Sequence, residues 1–345
     1  MTTQNYSTVA SRNLIYAAQE MLAHAEFPMV LGNFGAQKEM PKNKTDTIVF
    51  RRVDPFAKAS NGVATISASD FITSEGNTPN SNTITYTDVS TTMQQYAVLF
   101  KFSSKAAMLY EDDIPGDMQK ITGETLGEVN EVICYGVVKG GTNVVYSNGS
   151  TRAGLNTPIS LNKLRQAALT LEANAGKPVT KRLAAGPDFN TAPVEGGYVV
   201  FVHTDAVSDV RNLPGFKNVV EYAQYKPIHP NEFGSVEDFR FIKSRLFKPF
   251  LAAGSATLSP ATGTVYATDS TNADVYPFIC CAEDAWGHVA LKGMGAISPT
   301  LIPATVKNHA NPSGMFGYVG ADFWTAKVRL NENWMVRIEA ARLAL

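Results

Sequence analysis

Residues 59–100 read ASNGVATISASDFITSEGNTPNSNTITYTDVSTTMQQYAVLF, and no other stretch constrains the architecture as strongly. These 42 residues include no lysine or arginine, and 18 of them are Ser, Thr or Asn. Between Ser60 and Thr83 the large apolar side chains are Val63, Ile66, Phe71 and Ile72. Ordering the backbone costs ~1–2 kcal/mol per residue, and burying four such side chains at ~1.5–3 kcal/mol each does not offset this cost. The segment is therefore either disordered or ordered by lying on another surface.

Strand-forming residues flank this segment and favour the second alternative. Residues 47–53 predict a strand, residues 83–87 alternate with the period of a strand, and residues 96–102 are rich in β-formers. Together they predict an extended hairpin arm over 47–103. Because a two-stranded hairpin is marginally stable in water, we expect the arm to bind a partner surface.

A long helix is predicted over about 115–139, between the start signal Asp112-Asp113 with Pro115 and the stop signal Gly140-Gly141. Residues 111–131 hold seven acids and one base, whereas residues 151–182 hold six bases and one acid. These charge runs are either solvated helix faces or complementary contacts within or between subunits. The second alternative makes Glu124 and Glu128 candidate interface residues.

The remaining pattern mixes helices and strands, which predicts the α+β class. Helices are predicted over 12–27, over 205–213 and from the N-cap Ser160 to Gly176. The continuous apolar run 197–203 predicts a buried central strand, and further strands are predicted over 239–242 and 276–282. Residues 323–330 and 334–340 predict a C-terminal hairpin.

Composition excludes several classes of protein. The 345 residues carry 30 basic and 31 acidic side chains, a net charge of −1, whereas a dedicated nucleic-acid-binding domain is usually strongly basic. The hydrophobic share of 44% excludes wholesale disorder. No run approaches the ~18 apolar residues of a membrane span, and the N-terminal pattern predicts synthesis without an export signal.

The sequence contains no specific pattern of catalytic residues. The five histidines are scattered without metal-ligand spacing, and Gly293-Met294-Gly295 lacks the third glycine of a dinucleotide fingerprint. Cys134, Cys280 and Cys281 are predicted to be buried small apolar residues rather than redox groups. We therefore predict no catalytic residue, no metal, no cofactor and no enzymatic activity.

Ordered segments along nearly the whole chain resemble the major capsid proteins of short-tailed (podovirus-type) bacteriophages. The resemblance rests on the following stretches: residues 14–25, 31–35, 41–45, 48–52, 201–203, 211–216, 232–235, 239–244 and 328–341. It implies the HK97-like major capsid fold. The implied parts are an N-terminal arm (1–46), an extended hairpin called the E-loop (47–103), a P-domain with a long spine helix (104–189), an A-domain (190–325) and a C-terminal strand returning to the P-domain (326–345).

The implied function is self-assembly into the icosahedral shell that encloses the phage double-stranded DNA. The implied partners are further copies of this chain in hexamers and pentamers, portal and scaffolding proteins, a decoration protein, and DNA held without sequence-specific contact. No membrane partner is implied. The location is the virion, after synthesis in the host cytoplasm, and the alternative function is that of a decoration or tail structural protein.

Candidate interface residues follow from this picture. Arg51 and Arg52, at the base of the hairpin, are predicted to contact acidic residues of a neighbouring subunit, although both could be ordinary exposed strand residues. Phe71 and Ile72 are the apolar candidates near the tip. Some relatives crosslink their subunits through a lysine, and the absence of lysine from residues 59–100 disfavours a crosslink from the tip of this hairpin.

Overall fold

The computed structural model describes residues 29–54, 59–60, 63–64, 66–73, 75–76, 78, 81–109, 113–179, 183–184, 192–193, 196–222, 227–258, 263–292, 298–307, 309 and 311–344. The helix predicted over 12–27 lies outside these residues. The chain divides into two compact units. Unit 1 takes in the described parts of Met1–Ile48, Thr91–Cys134 and Gly287–Lys327, and unit 2 those of Val49–Ser90, Tyr135–Trp286 and Val328–Leu345.

The helices and strands are numbered in chain order. The helices are α1 (Ser104–Leu109), α2 (Ile114–Lys139), α3 (Leu161–Ala173) and α4 (Val207–Arg211). The strands are β1 (Ala36–Met40), β2 (Thr47–Val53), β3 (Ala59–Ser60), β4 (Val63–Ala64), β5 (Tyr86–Thr92), β6 (Gln94–Ser103), β7 (Val144–Tyr146), β8 (Leu183–Ala184), β9 (Ala192–Pro193), β10 (Tyr198–His203), β11 (Lys217–Asn218), β12 (Glu232–Val236), β13 (Phe239–Ser244), β14 (Val275–Cys281), β15 (Trp286–Leu291), β16 (Ser298–Ile302), β17 (Phe316–Arg329) and β18 (Met335–Ala341).

Unit 1 is built on a sheet of five strands with the order β1-β15-β17-β16, in which β6 also pairs with β17. β1 runs parallel to β15, and β17 runs antiparallel to both β16 and β6. The core of this unit includes Phe102, Val319 and Phe323 from the sheet and Leu126 from α2. Met118 and Val129, on the same helix, are partly buried against this cluster.

Unit 2 is built on a sheet of seven strands with the order β11-β12-β13-β10-β14-β18-β7. In β10, Val200 packs in the main core cluster, whereas Phe201 packs edge-on against Trp286 at 5.7 Å between ring centroids. Because successive side chains of a strand point to opposite faces, both faces of β10 are covered, and its sequence therefore shows an unbroken apolar run. Leu164 and Leu171 of α3 complete the cluster.

Several predicted elements are confirmed. β2 has the bounds predicted for it, α2 begins one residue before the predicted start, and α3 follows the N-cap Ser160. The strand predicted over 83–87 is instead β5, which begins at Tyr86. The reason is that β2 ends at Val53, and the backbone bond from Asp54 N–H to Thr85 O (3.0 Å) marks where the pairing stops.

The predicted C-terminal hairpin is wrong. β17 pairs with β6 and β16, whereas β18 lies between β14 and β7 in the other sheet. The alternation of apolar and polar residues in β18 predicts one solvated face, but all seven of its residues are buried. Arg337 and Glu339 are accommodated there by an ion pair with each other (2.8 Å) and by the pairing of Glu339 with Arg152 (2.7 Å).

Candidate subunit interface

The paired strands of the hairpin arm are β2 and β5, which form a two-stranded sheet. Along both strands exposed residues alternate with half-buried ones. Three of the exposed side chains are large and apolar: Val49, Val53 and Tyr86. An exposed strand pair with apolar side chains is a surface that a partner chain can cover.

Arg51 lies opposite an acidic residue of the same chain. Its Nε and one terminal nitrogen each donate to a carboxylate oxygen of Asp88 at 2.8 Å, and its guanidinium lies 5.6 Å from the centroid of the Tyr86 ring. This bidentate hydrogen bond holds the pKa of Asp88 below its usual value. Both side chains are well exposed, so water screens the pair and it sets strand register more than stability.

Arg52 also has an acidic partner within the chain. It donates to Asp54 Oδ1 at 3.1 and 3.3 Å and to the carbonyl oxygen of Leu330 at 3.4 Å. Asp54 in turn accepts a hydrogen bond from the hydroxyl of Thr87 at 2.8 Å. Arg51 thus pairs with an aspartate on the opposite strand, and Arg52 pairs with an aspartate two residues along its own segment. Their contact with a neighbouring subunit stays a prediction.

The two apolar candidates near the tip of the arm are exposed. Phe71 ends a short 3-10 helix, Ala68–Phe71, and Ile72 follows it. Their exposed fractions are 49% for Phe71 and 79% for Ile72. Ile66 and Ile84 are also more than half exposed. This exposure fits the inference from the sequence that the arm has no core of its own.

The two acidic candidates lie on α2. Glu124 is exposed and Glu128 is half-buried, and their spacing of four residues places them on one face of the helix. Ile121, three residues before Glu124, is 49% exposed on the same face. This face of α2 therefore carries an apolar side chain beside two carboxylates.

A group of buried ionisable residues in unit 1 binds residues 30–34. The sequence patterns did not predict this group. The carboxylate of Glu131 accepts the backbone N–H of Leu31 at 2.8 and 3.1 Å. His288 Nε2 lies 2.6 Å from the carbonyl oxygen of Phe34, so this nitrogen carries the ring proton and donates it. Lys327 Nζ then donates to His288 Nδ1 at 2.9 Å.

Burial dominates the electrostatics of this group. It raises the pKa of Glu131 to about 7, against the opposing effect of the backbone N–H donors and of Lys327. Burial and the neighbouring charge of Lys327 lower the pKa of His288 to about 4. His288 is consequently neutral at neutral pH, as its hydrogen bonds require.

One signal in the sequence could have revealed Glu131. Gly127, Glu131 and Cys134 follow each other at spacings of four and three residues, and all three are buried on one stripe of α2. An acid on such a stripe requires a buried partner. The partner, residues 30–34, lies 100 residues away in the sequence and carries no pattern of its own.

The cysteines and the potential metal ligands show no arrangement for redox or metal chemistry within the described residues. Cys134, Cys280 and Cys281 are buried, as predicted, and within the described residues they form no disulfide; burial raises the pKa of the Cys280 thiol. Within the described ranges, no three His, Cys, Asp or Glu side chains are grouped so as to hold a metal ion. Among the helices of the described residues, none is both long and apolar enough to span a bilayer.

Solved structures share this architecture over almost the whole chain. The capsid of Ralstonia phage GP4 matches with a TM-score of 0.60 and 11% identity over 89% of this chain and 87% of that one. The head structure of Helicobacter pylori bacteriophage KHP40 matches with a TM-score of 0.56 and 10% identity over 89% and 87%. The capsid of cyanophage Pam1 matches with a TM-score of 0.56 and 11% identity over 88% and 87%. The chain has the HK97-like capsid fold.

The predicted HK97-like capsid fold and α+β class are thereby confirmed. No protein-family model matches the sequence, and no curated protein matches it either. The likeness to the capsid structures therefore rests on the similarity of the backbone folds, since only about one residue in ten is identical.

Proposed function

We propose that this chain is the major capsid protein of a tailed bacteriophage, many copies of which assemble into an icosahedral shell. The observation that carries the proposal is the match to phage capsid structures over about nine-tenths of both chains. The role is structural, and no catalytic step is assigned to it.

The hairpin arm supports assembly as the mode of action. Phe71 and Ile72 are exposed, and the sequence of the arm supplies too little apolar surface to order itself. Covering these side chains with a neighbouring subunit removes apolar surface from water at a gain of ~25 cal/mol per Å². On this proposal Arg51 and Arg52, at the base of the arm, contact acidic residues of a neighbouring subunit. Glu124 and Glu128 also lie at a contact with a neighbouring subunit.

The finer parts of the proposal come from the resemblance. They comprise the short-tailed phage type, the hexamers and pentamers, the five-part division of the chain, portal and scaffolding partners, a decoration protein, and synthesis in the host cytoplasm. The enclosed double-stranded DNA needs no sequence-specific contact, and a net charge of −1 agrees with a shell that binds DNA weakly.

The experiment is sedimentation and negative-stain electron microscopy of the expressed chain, alone and together with the neighbouring structural genes. Closed shells or capsomers support the proposal. A Phe71→Ser, Ile72→Ser variant is expected to stay soluble but to yield fewer particles, whereas Leu169→Ser, at an exposed position of α3, serves as the matched control. A small monodisperse species under both conditions would contradict the proposal and favour a decoration or tail protein.

A further inference from the structure

The most exposed large apolar side chain among the described residues is Val220 of unit 2, of which 90% is accessible to solvent. It lies at the centre of a 3-10 turn, Val219–Glu221, which we call the Val220 turn. Strand β11 immediately before the turn pairs with β12. The hydroxyl of Tyr222, immediately after the turn, donates to Glu232 of β12 at 2.7 Å. The turn is therefore anchored on both sides while it presents an apolar side chain to solvent.

A cavity of about 450 Å³ lies in the same unit, between the start of α3, the end of α4 and the C-terminal segment. We call it the α3 cavity. The apolar part of its lining consists of Pro158, Ile159, Leu161, Leu213, Pro214 and Leu343. Ser160 and Asn212, which also line it, are exposed, so the cavity opens to solvent. It is therefore a surface that an apolar side chain from another molecule can cover.

The N-terminus of α3, at one side of this cavity, carries positive charge. The side chain of the N-cap Ser160 makes no capping bond, and the first turn of the helix contains no acidic residue. The backbone N–H groups of Leu161 and Asn162 meet no acceptor among the described residues, and they keep the partial positive charge of a helix N-terminus. Lys163 adds a full positive charge to the same turn. An acidic group is what this end of α3 lacks.

The acidic residue of the lining, Asp209, is engaged by the C-terminal segment. Its side chain is buried, and its carboxylate accepts the backbone N–H of Leu343 at 3.2 Å. Burial raises the pKa of Asp209, whereas this hydrogen bond and the charge of Arg342 oppose the increase. Because its charge is already offset there, Asp209 does not supply the acid that the N-terminus of α3 lacks.

The Val220 turn complements the α3 cavity in both polarity and charge. Val220 supplies an apolar side chain, and removing it from water against an apolar lining is favourable. Glu221, the next residue, is an exposed acid, and an acid at a helix N-terminus is stabilised by the free N–H groups and by the helix dipole. Within one chain Val220 stays exposed, so the cavity of the same chain does not cover it. A second copy supplies the complementary surface.

We propose that the Val220 turn of one copy docks in the α3 cavity of a second copy, with Val220 against the apolar lining and Glu221 at the N-terminus of α3. The contact joins two different surfaces and is therefore heterologous, the kind of contact that repeats head to tail and closes into rings. This inference rests on the proposed capsid function, for which it identifies a contact between neighbouring subunits of a ring.

Cysteine crosslinking between copies tests the contact directly. Chains with Val220→Cys are mixed with chains with Ser160→Cys, oxidised, and separated by mass on a non-reducing denaturing gel. A disulfide requires Cα atoms within ~7 Å of each other, so we expect a crosslinked dimer from the mixture and from neither variant alone. The native cysteines are buried. Val220→Cys mixed with Leu169→Cys, at an exposed position further along α3, is the matched control and gives no dimer.

The crosslinking result is independent of the search for shells. Absence of the dimer from the mixture overturns the inference whether or not shells form. Shells without the dimer leave the proposed capsid function standing and remove this contact from it. The dimer without shells supports the contact and counts against the shell. A dimer formed by Val220→Cys alone would show that two Val220 turns meet each other, which contradicts docking in the cavity.

Substitutions at these exposed positions provide a second measurement, the amount of sedimenting assemblies. Val220→Asp is expected to lower it roughly tenfold or more, because a charged group would enter an apolar cavity, whereas Val220→Ile is expected to preserve it. Glu221→Gln is expected to weaken association about threefold and to reduce its dependence on salt. Leu169→Asp is the matched control and leaves assembly unchanged. Assembly of Val220→Asp at the level of the unmodified protein would overturn the inference.

Discussion

Glu131→Gln is expected to change how the stability of residues 30–34 depends on pH. Glu131 and His288 both bind this segment, and their pKa values are displaced in opposite directions by burial. The folded pKa of Glu131, about 7, lies above its ordinary value of 4.5, so folding binds a proton and stability is gained as the pH falls from 7 to 4.5. The folded pKa of His288, about 4, lies below 6.5, so stability is lost as the pH falls from 6.5 to 4.

The two effects overlap and nearly cancel between pH 6.5 and 4.5. One pH unit of unequal proton binding corresponds to ~1.4 kcal/mol, so each group could contribute at most ~3 kcal/mol over these two units. Each contributes about 2 kcal/mol, because at pH 6.5 Glu131 in the folded chain and His288 in the unfolded chain are not yet fully protonated. The unmodified protein is therefore expected to show little dependence on pH from this pair.

The variants expose the separate contributions. Glu131→Gln is expected to lose about 2 kcal/mol of local stability as the pH falls from 6.5 to 4.5, relative to the unmodified protein. His288→Gln is expected to gain about 2 kcal/mol over the same interval. Any constant cost of the substitution, such as a lost hydrogen bond to Leu31 in Glu131→Gln, shifts the whole profile and leaves its slope unaffected.

Hydrogen exchange measured by mass spectrometry on peptides covering residues 30–34 provides the assay. Comparing variants at the same pH removes the intrinsic pH dependence of exchange and reports the difference in the free energy of local opening. Parallel profiles for Glu131→Gln and the unmodified protein would show that folding does not shift the pKa of Glu131. That result would refute the argument that burial raises its pKa.

Three further predictions concern stability and assembly. Glu339→Leu leaves two guanidinium groups without their buried carboxylate and is expected to cost ~3–5 kcal/mol of the free energy of unfolding, which denaturant titration measures. Leu126→Ala, at a buried core position, is expected to cost ~2–5 kcal/mol, whereas the exposed Leu169→Ala changes stability by less than ~0.5 kcal/mol, and equal effects would contradict the packing described for α2. Reversing the charges of Arg51 and Arg52 is expected to lower the yield of sedimenting particles, and an unchanged yield would remove both from the proposed interface.

Local patterns predicted the elements whose signals lie within their own segment of the sequence. The run 197–203 predicted β10 because a strand that is covered on both faces is apolar at every position. Such a strand can be identified without knowing which strands pair with it. The start and stop signals around 115–139 predicted α2 for a different reason, since a helix forms its backbone bonds within its own segment.

Pairing between distant segments could not be read from the sequence. β17 and β18 look like a hairpin because three turn-forming residues join them, yet each finds partners in a different sheet. The buried ion pairs of Glu339 are hidden for a similar reason, since Arg152 lies 187 residues away. The binding of residues 30–34 by Glu131 and His288 likewise requires three segments that only the fold brings together.

The measurement that most directly tests the central claim is a cryo-electron microscopy reconstruction of particles assembled from this chain. The proposal predicts a closed icosahedral shell in which every subunit has the capsid fold and the hairpin of β2 and β5 lies on a neighbouring subunit, with Phe71 and Ile72 covered. A shell built from another protein, with this chain attached to its surface or absent, would contradict it.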